Sequence, residues 1–302
     1  LHREVPRREV KMPAPSLGYR VEDLDFDTLV EQLRDGRDTG RIAAARLRKH
    51  FKDRAVTVFV AVLSEPGSAS DAKTSVARAL GRLGEALRGT SDGTEAAAAL
   101  RVALADPNVE VRAAAAYALG KLRDEQALAR LTEMLHNGQE AEKVRQEAAR
   151  ALGRIGSAPA IAPLLQTARE ERAKASESLP RFRELAKEKG LYWAVPQVLL
   201  ACYWALGEIG GEEARVFLLA QHGQVTFPAE KDRSLFLTEA VVARQHALDA
   251  AARIGGTKAL EAVKAATWDP PLDTYFDYVR LNRNFEPKAA VPVLLDFLGH
   301  PK

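Results

Sequence analysis

The sequence predicts an all-α fold, an α-α superhelix of about six or seven helical hairpins. Apolar residues recur at steps of three and four along most of the chain, which places them on one face of successive helices. Whole hairpins also repeat, because Leu-Gly pairs occur at 80–81, 119–120, 152–153 and 206–207, with an Ala-Ala pair at 251–252. Helix pairs repeating about every 33–45 residues are typical of an α-solenoid, here expected to be right-handed.

The segment Asp106–Asn137 shows the hairpin most clearly. Pro107 and Asn108 interrupt the preceding helix and supply a residue of the N-cap type. Two apolar stripes follow, separated by a polar turn at 123–124. Neither helix can bury its stripe alone, so the hairpins are expected to stack against one another.

The composition agrees with packed helices. Of the 302 residues, 46% are hydrophobic and 28% charged, which is typical of a globular protein rather than a disordered one. Aromatic residues make up only 6% and Ala is abundant, which favours helices over sheets. Residues 55–63 (AVTVFVAVL) resemble a strand, but their place as the second element of a hairpin favours a buried helix. The single Cys202 is expected to be a small buried hydrophobe.

The domain organisation is predicted from changes in this pattern. Residues 1–24 are expected to form an extended, Pro-containing arm, followed by a solenoid over 25–302. Insertions are expected near 170–192 and near 222–237, and the first is either an exposed helix or a long loop, broken at Pro180. Because the chain starts at Leu1 and ends where another repeat could begin, we expect a fragment or a processed form. No apolar run is long enough to span a membrane, and the expected location is cytoplasmic or exported, with the cytoplasm favoured.

Glycines at two kinds of position have physical explanations. Gly120 and Gly153 lie inside helical patterns, where Gly costs about 1 kcal/mol relative to Ala. The missing Cβ is expected to let a neighbouring helix approach closely. Left-handed C-caps are expected at three further glycines: Gly84, Gly156 and Gly210. The third hairpin carries Arg123 at that position, so its turn is expected to differ.

Two segments carry a family resemblance. VRAAAAYALGKLRDEQALARLTEML and VRQEAARALGRIGSAPAIAPLLQ resemble HEAT repeats, specifically the short PBS-lyase HEAT-like kind named after the phycobilisome lyases. The resemblance implies the solenoid fold over the chain from about Asp25. It also implies that Arg112 and Arg145 are structural, each bonding to an Asp of a neighbouring repeat, with Asp106 as a candidate partner.

An enzymatic function would require a metal-binding or catalytic motif. The resemblance implies that HEAT-like di-iron hydroxylases hold their metals with His-Glu dipeptides, and no His in this chain is followed by Glu. No phosphate-binding or nucleophile motif is present either. We therefore expect no enzyme, no metal centre and no cofactor, and keep an auxiliary lyase-type enzyme of the phycobilin lyase kind as a third reading.

Nucleic-acid binding is the alternative function. Basic residues crowd one short segment: Arg41, Arg46, Arg48, Lys49, Lys52 and Arg54. They are either a phosphate-binding cluster or a solvated helix face beside an acidic one. The net charge of +3, from 44 basic and 41 acidic residues, argues against a dedicated nucleic-acid binder.

The favoured function is a protein-binding scaffold or adaptor, a subunit of a larger assembly. We expect its curved inner surface to be lined by the second helix of each hairpin. The candidate partner-binding residues are Arg130, Glu133, Gln166, Arg181, Arg183, Tyr192, Trp193 and Arg215. Tyr203 and Trp204 are interpreted either as core residues or as interface anchors.

Overall fold

The structure, a computed structural model, describes residues 25–36, 38–189, 197–223, 239–256, 258–259 and 261–262. Regular structure in these ranges is helical throughout, which confirms the all-α prediction. The helices are α1 (Phe26–Asp35), α2 (Asp38–His50), α3 (Lys52–Ser64), α4 (Ser70–Leu87), α5 (Ser91–Ala103), α6 (Val109–Leu122), α7 (Leu128–His136), α8 (Glu142–Ile155), α9 (Ile161–Lys189), α10 (Gln197–Ile209), α11 (Glu212–Gly223) and α12 (Glu239–Ile254).

The helices form two rows. We call α2, α4, α6, α8, α10 and α12 the first row, because each packs against the next along the stack. The second row consists of α3, α5, α7, α9 and α11, each following its first-row helix in the chain. The strand-like segment 55–63 lies inside α3 and is helical, as predicted. The helix α1 packs against α2 and covers that end of the described stack.

The core is built from Ala and Leu at the predicted positions. In α6, Val111, Ala115 and Leu119 are completely buried, as are Leu131 and Leu135 of α7, a helix that packs against α8. Burying a Leu side chain stabilises a fold by about 1.5–3 kcal/mol. The small Ala side chains in turn let successive first-row helices pack at short range.

Glycines set the closest approaches in the first row. A Cβ on Gly120 would lie 2.6 Å from the Cα of Ala151 in the next first-row helix. A Cβ on Gly153 would lie 2.6 Å from the Cα of Ala205. Backbone atoms cannot move aside as a flexible side chain can, so both glycines are needed for this packing. The prediction of close approach at Gly120 and Gly153 is confirmed.

Three predictions about helix ends and turns met different outcomes. Gly156 and Gly210 have φ of 77° and 81°, as expected for left-handed caps. Gly84 is not a cap, because α4 continues to Leu87 and a Cβ at Gly84 would lie 2.9 Å from the backbone of Lys121. The prediction for Arg123 is also wrong, because it adopts the same left-handed conformation at φ 56°.

Backbone hydrogen bonds explain the turn at Arg123. The N–H of Arg123 donates to the carbonyl of Gly120 at 3.2 Å, and that of Asp124 donates to the carbonyl of Leu119 at 3.1 Å. This pair of bonds satisfies carbonyls that the helix end leaves without partners. The left-handed conformation therefore follows from the bonding pattern, although the side chain does not favour it.

The first expected insertion is an extension of a helix. The backbone of α9 is helical from Ile161 to Lys189, so it runs through Pro180 without the predicted break. Proline removes one backbone donor, and a long helix tolerates that loss at one position. The predicted arm at 1–24, most of the second insertion and the end of the solenoid lie outside the described residues.

The two rows differ in how closely their helices pack. First-row neighbours are in extensive contact, whereas α7, α9 and α11 touch one another at few places. The glycines of α6, α8 and α10 allow the close approach on the first-row side. The expectation that the second helices line a curved inner surface stays a prediction.

Candidate functional site

Five first-row helices carry side chains at the same two positions of one helix face. These positions lie three residues before and one residue after the glycine or, in α12, Ala252, and are therefore one helical turn apart. Asp249 on α12 is buried, whereas the other side chains at these positions are exposed or half-buried. We call these residues the first-row face: Arg78 and Arg82 on α4, Tyr117 and Lys121 on α6, Arg150 and Arg154 on α8, Trp204 and Glu208 on α10, and Asp249 and Arg253 on α12. The flanking Ala, Leu and Gly residues are buried, so the repeat itself aligns these ten side chains.

Arg154 lies between two aromatic rings at the centre of this face. Its guanidinium carbon is 5.1 Å from the ring centroid of Tyr117 and 5.5 Å from that of Trp204. A guanidinium within about 6 Å of an aromatic centroid is attracted by the ring quadrupole. Burial lowers the pKa of Arg154 from its ordinary value, while the carboxylate of Glu147 opposes this effect. The result is a column of three side chains across α6, α8 and α10.

Two carboxylates beside the face are each shared by two cations. Glu147 accepts a hydrogen bond from Arg150 at 2.8 Å and lies 3.7 Å from Arg154. One turn towards the helix N-termini, Glu110 contacts Arg78 at 3.4 Å and Lys143 at 2.5 Å. Each carboxylate can balance only one of its two cations, so the face keeps an excess of positive charge.

The part of the face on α10 and α12 is more acidic than the part on α4, α6 and α8. Arg253 contacts Glu208 at 3.2 Å and also pairs with Asp249 one turn away. These two carboxylates are the acidic members of the ten-residue set, and both belong to the α10–α12 end. The positive part of the face therefore extends from α4 to α8.

A separate row of ion pairs is buried between repeats. Lys73 pairs with Asp106 at 3.2 Å, and Arg112 with Glu140 at 2.6 Å. Arg145 continues the row: it donates to Glu171 at 2.8 Å and to the carbonyl of Leu135 at 2.9 Å. The predicted structural role of Arg112 and Arg145 fits this placement.

The partner predicted for Arg112 differs in detail from the one observed. Its guanidinium donates to the backbone carbonyl of Asp106 at 2.9 Å, whereas the carboxylate that it binds belongs to Glu140. Burial is the largest single influence on the pKa of Glu140 and raises it, but the hydrogen bonds from Arg112 and the backbone of Ala141 and the charges of Arg112 and Arg130 together lower it below the ordinary value. The pKa of Glu171 is likewise lowered overall, because the hydrogen bonds and charges of Arg145 and Lys174 together outweigh burial.

The predicted partner-binding residues lie elsewhere. Arg130 and Glu133 form an exposed i,i+3 pair on α7 at 2.7 Å, and Gln166 on α9 donates to Glu170 at 2.9 Å. Arg215 on α11 pairs with Glu212. All of these belong to the second row. Their role stays a prediction.

The remaining candidates cannot be assigned to a surface. Arg181 and Arg183 fall in the last part of α9, where the structure describes the helical backbone alone. Tyr192 and Trp193 lie outside the described residues. Tyr203 is buried, which confirms the core reading for that residue, whereas Trp204 is half-buried on the first-row face and its role as an interface anchor stays a prediction. Burial raises the pKa of Tyr203 to about 12.

The first-row face itself was missed at the sequence level, although a signal was present. The residue after the glycine is basic in three consecutive repeats, in the strings ALGR, ALGK and ALGR that end at Arg82, Lys121 and Arg154. The side towards which these residues point depends on which row packs closely, and helical periodicity does not report that.

Within the described ranges, no group of three or more His, Cys, Asp and Glu residues is placed to hold a metal ion. In the same ranges, no helix is both long and apolar enough to cross a membrane. Cys202 is completely buried, as predicted, and burial raises the pKa of its thiol. A cleft of about 340 Å³ lies between the turns after α4 and α6, and the Arg101–Asp124 ion pair lines one side of it.

The basic segment proposed for phosphate binding lies on α2 and α3. Arg41, Lys49 and Lys52 are exposed there, and the guanidinium of Arg54 covers the ring of Phe26 at 3.7 Å. Arg46 and Arg48 are half-buried. The cluster is therefore divided between solvent-exposed and packed side chains.

Comparison with known proteins identifies the repeats. The family described as HEAT repeats matches residues 85–143 and 97–179. Deoxyhypusine hydroxylase from Neurospora crassa is 36% identical over 77 residues, which is 26% of this chain and 24% of that protein. This chain thus matches about a quarter of the length of that curated relative.

Two solved structures align with most of this chain, with different TM-scores. A chain from the complex of CpcE and CpcF of phycocyanin lyase from a Nostoc species aligns with a TM-score of 0.50 at 19% identity, covering 94% of this chain and 96% of that one. Human deoxyhypusine hydroxylase aligns with a TM-score of 0.34 at 18% identity, covering 85% and 93%. The first of these similarities concerns the fold, and it agrees with the stacked helix pairs and the matched repeats. Residues 85–179 of this chain thus match HEAT repeats, and the similarity of fold extends over the stack.

Proposed function

We propose that this chain is a scaffold or adaptor that holds a protein partner on its first-row face. The observation that carries the proposal is the column of Tyr117, Arg154 and Trp204, which spans three repeats on one surface. Tyr, Trp and Arg are the residues most often found at the energetic centre of protein interfaces. A rigid scaffold that presents them partly exposed loses little conformational entropy when a partner binds.

The surrounding architecture supports the same function. The face is continuous over five first-row helices, so its length suits a protein surface or an extended segment better than a small molecule. The Nostoc structure of similar fold is a complex of two chains, CpcE and CpcF. That relationship favours an assembly role for this chain as well.

An enzyme-related function has weaker support. The match to deoxyhypusine hydroxylase covers 77 residues of repeat sequence, and none of the six histidines is followed by Glu, the pair that those enzymes use for iron. Lyase-type activity has no supporting residue in the described structure. Nucleic-acid binding remains the second candidate function, because several exposed lysines and arginines lie close together in the chain on α2 and α3.

Site-directed photo-crosslinking in a source-cell lysate tests the proposal. A photoreactive phenylalanine derivative replaces Lys121 on the first row in one variant and Glu133 on the second row in the other. We expect protein adducts from position 121 and few from position 133. Adducts formed mainly from position 133 would instead support the residues predicted from sequence, namely Arg130, Glu133, Gln166 and Arg215. Nucleic-acid adducts without protein adducts at position 121 would overturn the proposal.

A further inference from the structure

We propose that the first-row face of α4, α6 and α8 binds an acidic polypeptide segment. The carboxylates of that segment would pair with the arginines and lysines of the face, while Tyr117 and Trp204 would contact an apolar side chain between them. This inference rests on the proposed function, since it names the chemistry of the partner held on the same face.

Charge counting gives the first argument. Six cations lie on or beside the α4–α8 part of the face: Arg78, Arg82, Lys121, Lys143, Arg150 and Arg154. The carboxylates that pair with them are Glu110 and Glu147. Neither Arg82 nor Lys121 makes an ion pair with any described residue, although Glu85 lies one turn beyond Arg82. The excess of four positive charges on one surface calls for a partner of opposite charge.

The limited pairing of Arg154 gives the second argument. Its Nη1 atom is buried and lies 3.7 Å from the buried Oε2 atom of Glu147, which is too long for a hydrogen bond. Glu147 instead accepts a hydrogen bond from Arg150. The Arg154 side chain as a whole is 21% exposed, so a carboxylate would approach its exposed part and not the buried Nη1 atom.

The two aromatic rings make Arg154 a suitable anchor. Their centroids lie 5.1 and 5.5 Å from its guanidinium carbon, and these contacts reduce the side-chain entropy lost when a carboxylate binds. Tyr117 and Trp204 are themselves half-buried and leave part of each ring exposed. An acidic segment that also carries an apolar residue can therefore use both the charge and the ring surfaces.

Spacing favours an extended polypeptide. Helices packed through small residues lie about 8–10 Å apart, so equivalent cations on neighbouring first-row helices repeat at about that distance. Every third residue of a polyproline-type segment points the same way and repeats at about 9 Å. Glutamates at every third position would thus meet successive helices of the face.

The small excess of positive charge disfavours nucleic acid as the ligand of this face. Nucleic-acid affinity comes mainly from many phosphate contacts and the counterions that they release. An excess of four charges, interrupted by Glu110 and Glu147, offers few such contacts, and the whole chain carries only +3. A short acidic peptide needs fewer charge contacts and gains the aromatic surfaces.

Fluorescence anisotropy with the full chain tests the proposal. The probe is a labelled peptide with Glu at every third position and Leu and Pro between, compared with the same peptide carrying Gln and with labelled oligothymidylate. We expect saturable binding of the Glu peptide, weakened roughly tenfold or more by R82E/K121E and by added salt. Both substituted residues lack ion pairs with described residues, so folding should be preserved, and circular dichroism checks this.

The matched control is K52E/R130E, which makes the same change in net charge on second-row helices and should alter binding less than about twofold. Equal binding of the Gln peptide, tighter binding of oligothymidylate, or equal weakening by both double variants would each overturn the inference. If protein adducts form at position 121 while the Glu peptide fails to bind, the proposed scaffold function stands and the acidic partner is excluded. If adducts at position 121 are also absent, the proposed scaffold function fails as well.

Discussion

The first and second rows of helices organise their surface side chains differently. First-row side chains contact those of the next repeat, as in Arg78–Glu110, Lys143–Glu110 and Arg253–Glu208. Second-row side chains pair mostly within one helix, as in Arg130–Glu133 and Gln166–Glu170. Contacts between second-row helices do occur, for example between Arg172 and Gln221, but they are fewer.

This difference shows how one repeat produces two kinds of surface. Close packing on the first-row side brings equivalent residues of neighbouring repeats within contact distance, so they form one shared surface. The second-row helices are further apart, so the side chains of each of these helices pair mainly with one another. A shared surface across several repeats suits an extended partner, and the predictions below are designed to break or sharpen this contrast.

The largest effect is expected at the buried ion pair between repeats. Replacing Arg145 with Ala removes the only described donor to the carbonyl of Leu135 and leaves Glu171 with Lys174 as its remaining partner. We expect the free energy of unfolding to fall by roughly 3 kcal/mol. Replacing the exposed second-row Arg130 with Ala should cost about 0–1 kcal/mol. Urea unfolding followed by circular dichroism measures both. Equal losses in the two variants would contradict the assignment of Arg145 to the interior.

The glycine contacts should give the next largest effect. Gly153→Ala gains about 1 kcal/mol of helix propensity, yet its Cβ would lie 2.6 Å from the backbone of Ala205. We expect a net loss of about 2–3 kcal/mol in the free energy of unfolding. Gly138→Ala is the control, because a Cβ there meets no atom within 4 Å, and it should change stability by less than about 0.5 kcal/mol. A stabilising Gly153→Ala would show that the first row is not closely packed there.

A smaller effect is expected for the aromatic column. In a double-mutant cycle of Arg154→Met and Trp204→Leu, the two residues should couple by about 1 kcal/mol in unfolding free energy. The cycle of Arg130→Met and Trp204→Leu spans both rows and should show no coupling. A coupling energy of zero in the first cycle would mean that the guanidinium and the indole do not interact.

The pH dependence of stability should show the smallest and most gradual effect. The pKa values of Glu140 and Glu171 lie below the ordinary value of 4.5 in the folded chain. Their ionised forms therefore stabilise the fold above about pH 4.5, and this stabilisation is lost as the pH falls through the lowered pKa values. Thermal unfolding between neutral and acid pH should show this loss, and E140Q/E171Q should flatten the profile. An unchanged acid profile in that variant would assign the acid sensitivity to other groups.

Much of the fold was predictable because local signals agree with one another. Apolar spacing located the helices of α6 and α7, and Gly156 and Gly210 indicated true helix ends. The predicted helix end at Gly84 was wrong, because this glycine lies within α4 and allows close approach of the Lys121 backbone. Arg123 shows the opposite case, since hydrogen bonds at the helix end impose a conformation that its residue type does not indicate.

The candidate site was less predictable than the fold. Exposed polar residues on α7, α9 and α11 looked suitable because amphipathic periodicity shows which side of a helix faces solvent. It does not show which row of helices lies close together. Trp204 could likewise be read as core or as interface, and its place beside Arg154 comes from the packing of α8 against α10.

The sequence by itself determined the repeating helix pair, its buried Ala and Leu residues and the glycines that allow close packing, because each of these follows from local spacing and side-chain size. Only the tertiary structure decided that Tyr117, Arg154 and Trp204 meet, and that Glu110 and Glu147 are each shared by two cations. Those contacts join residues from different repeats. Their distances depend on the spacing of neighbouring helices, which the packing of whole helices sets.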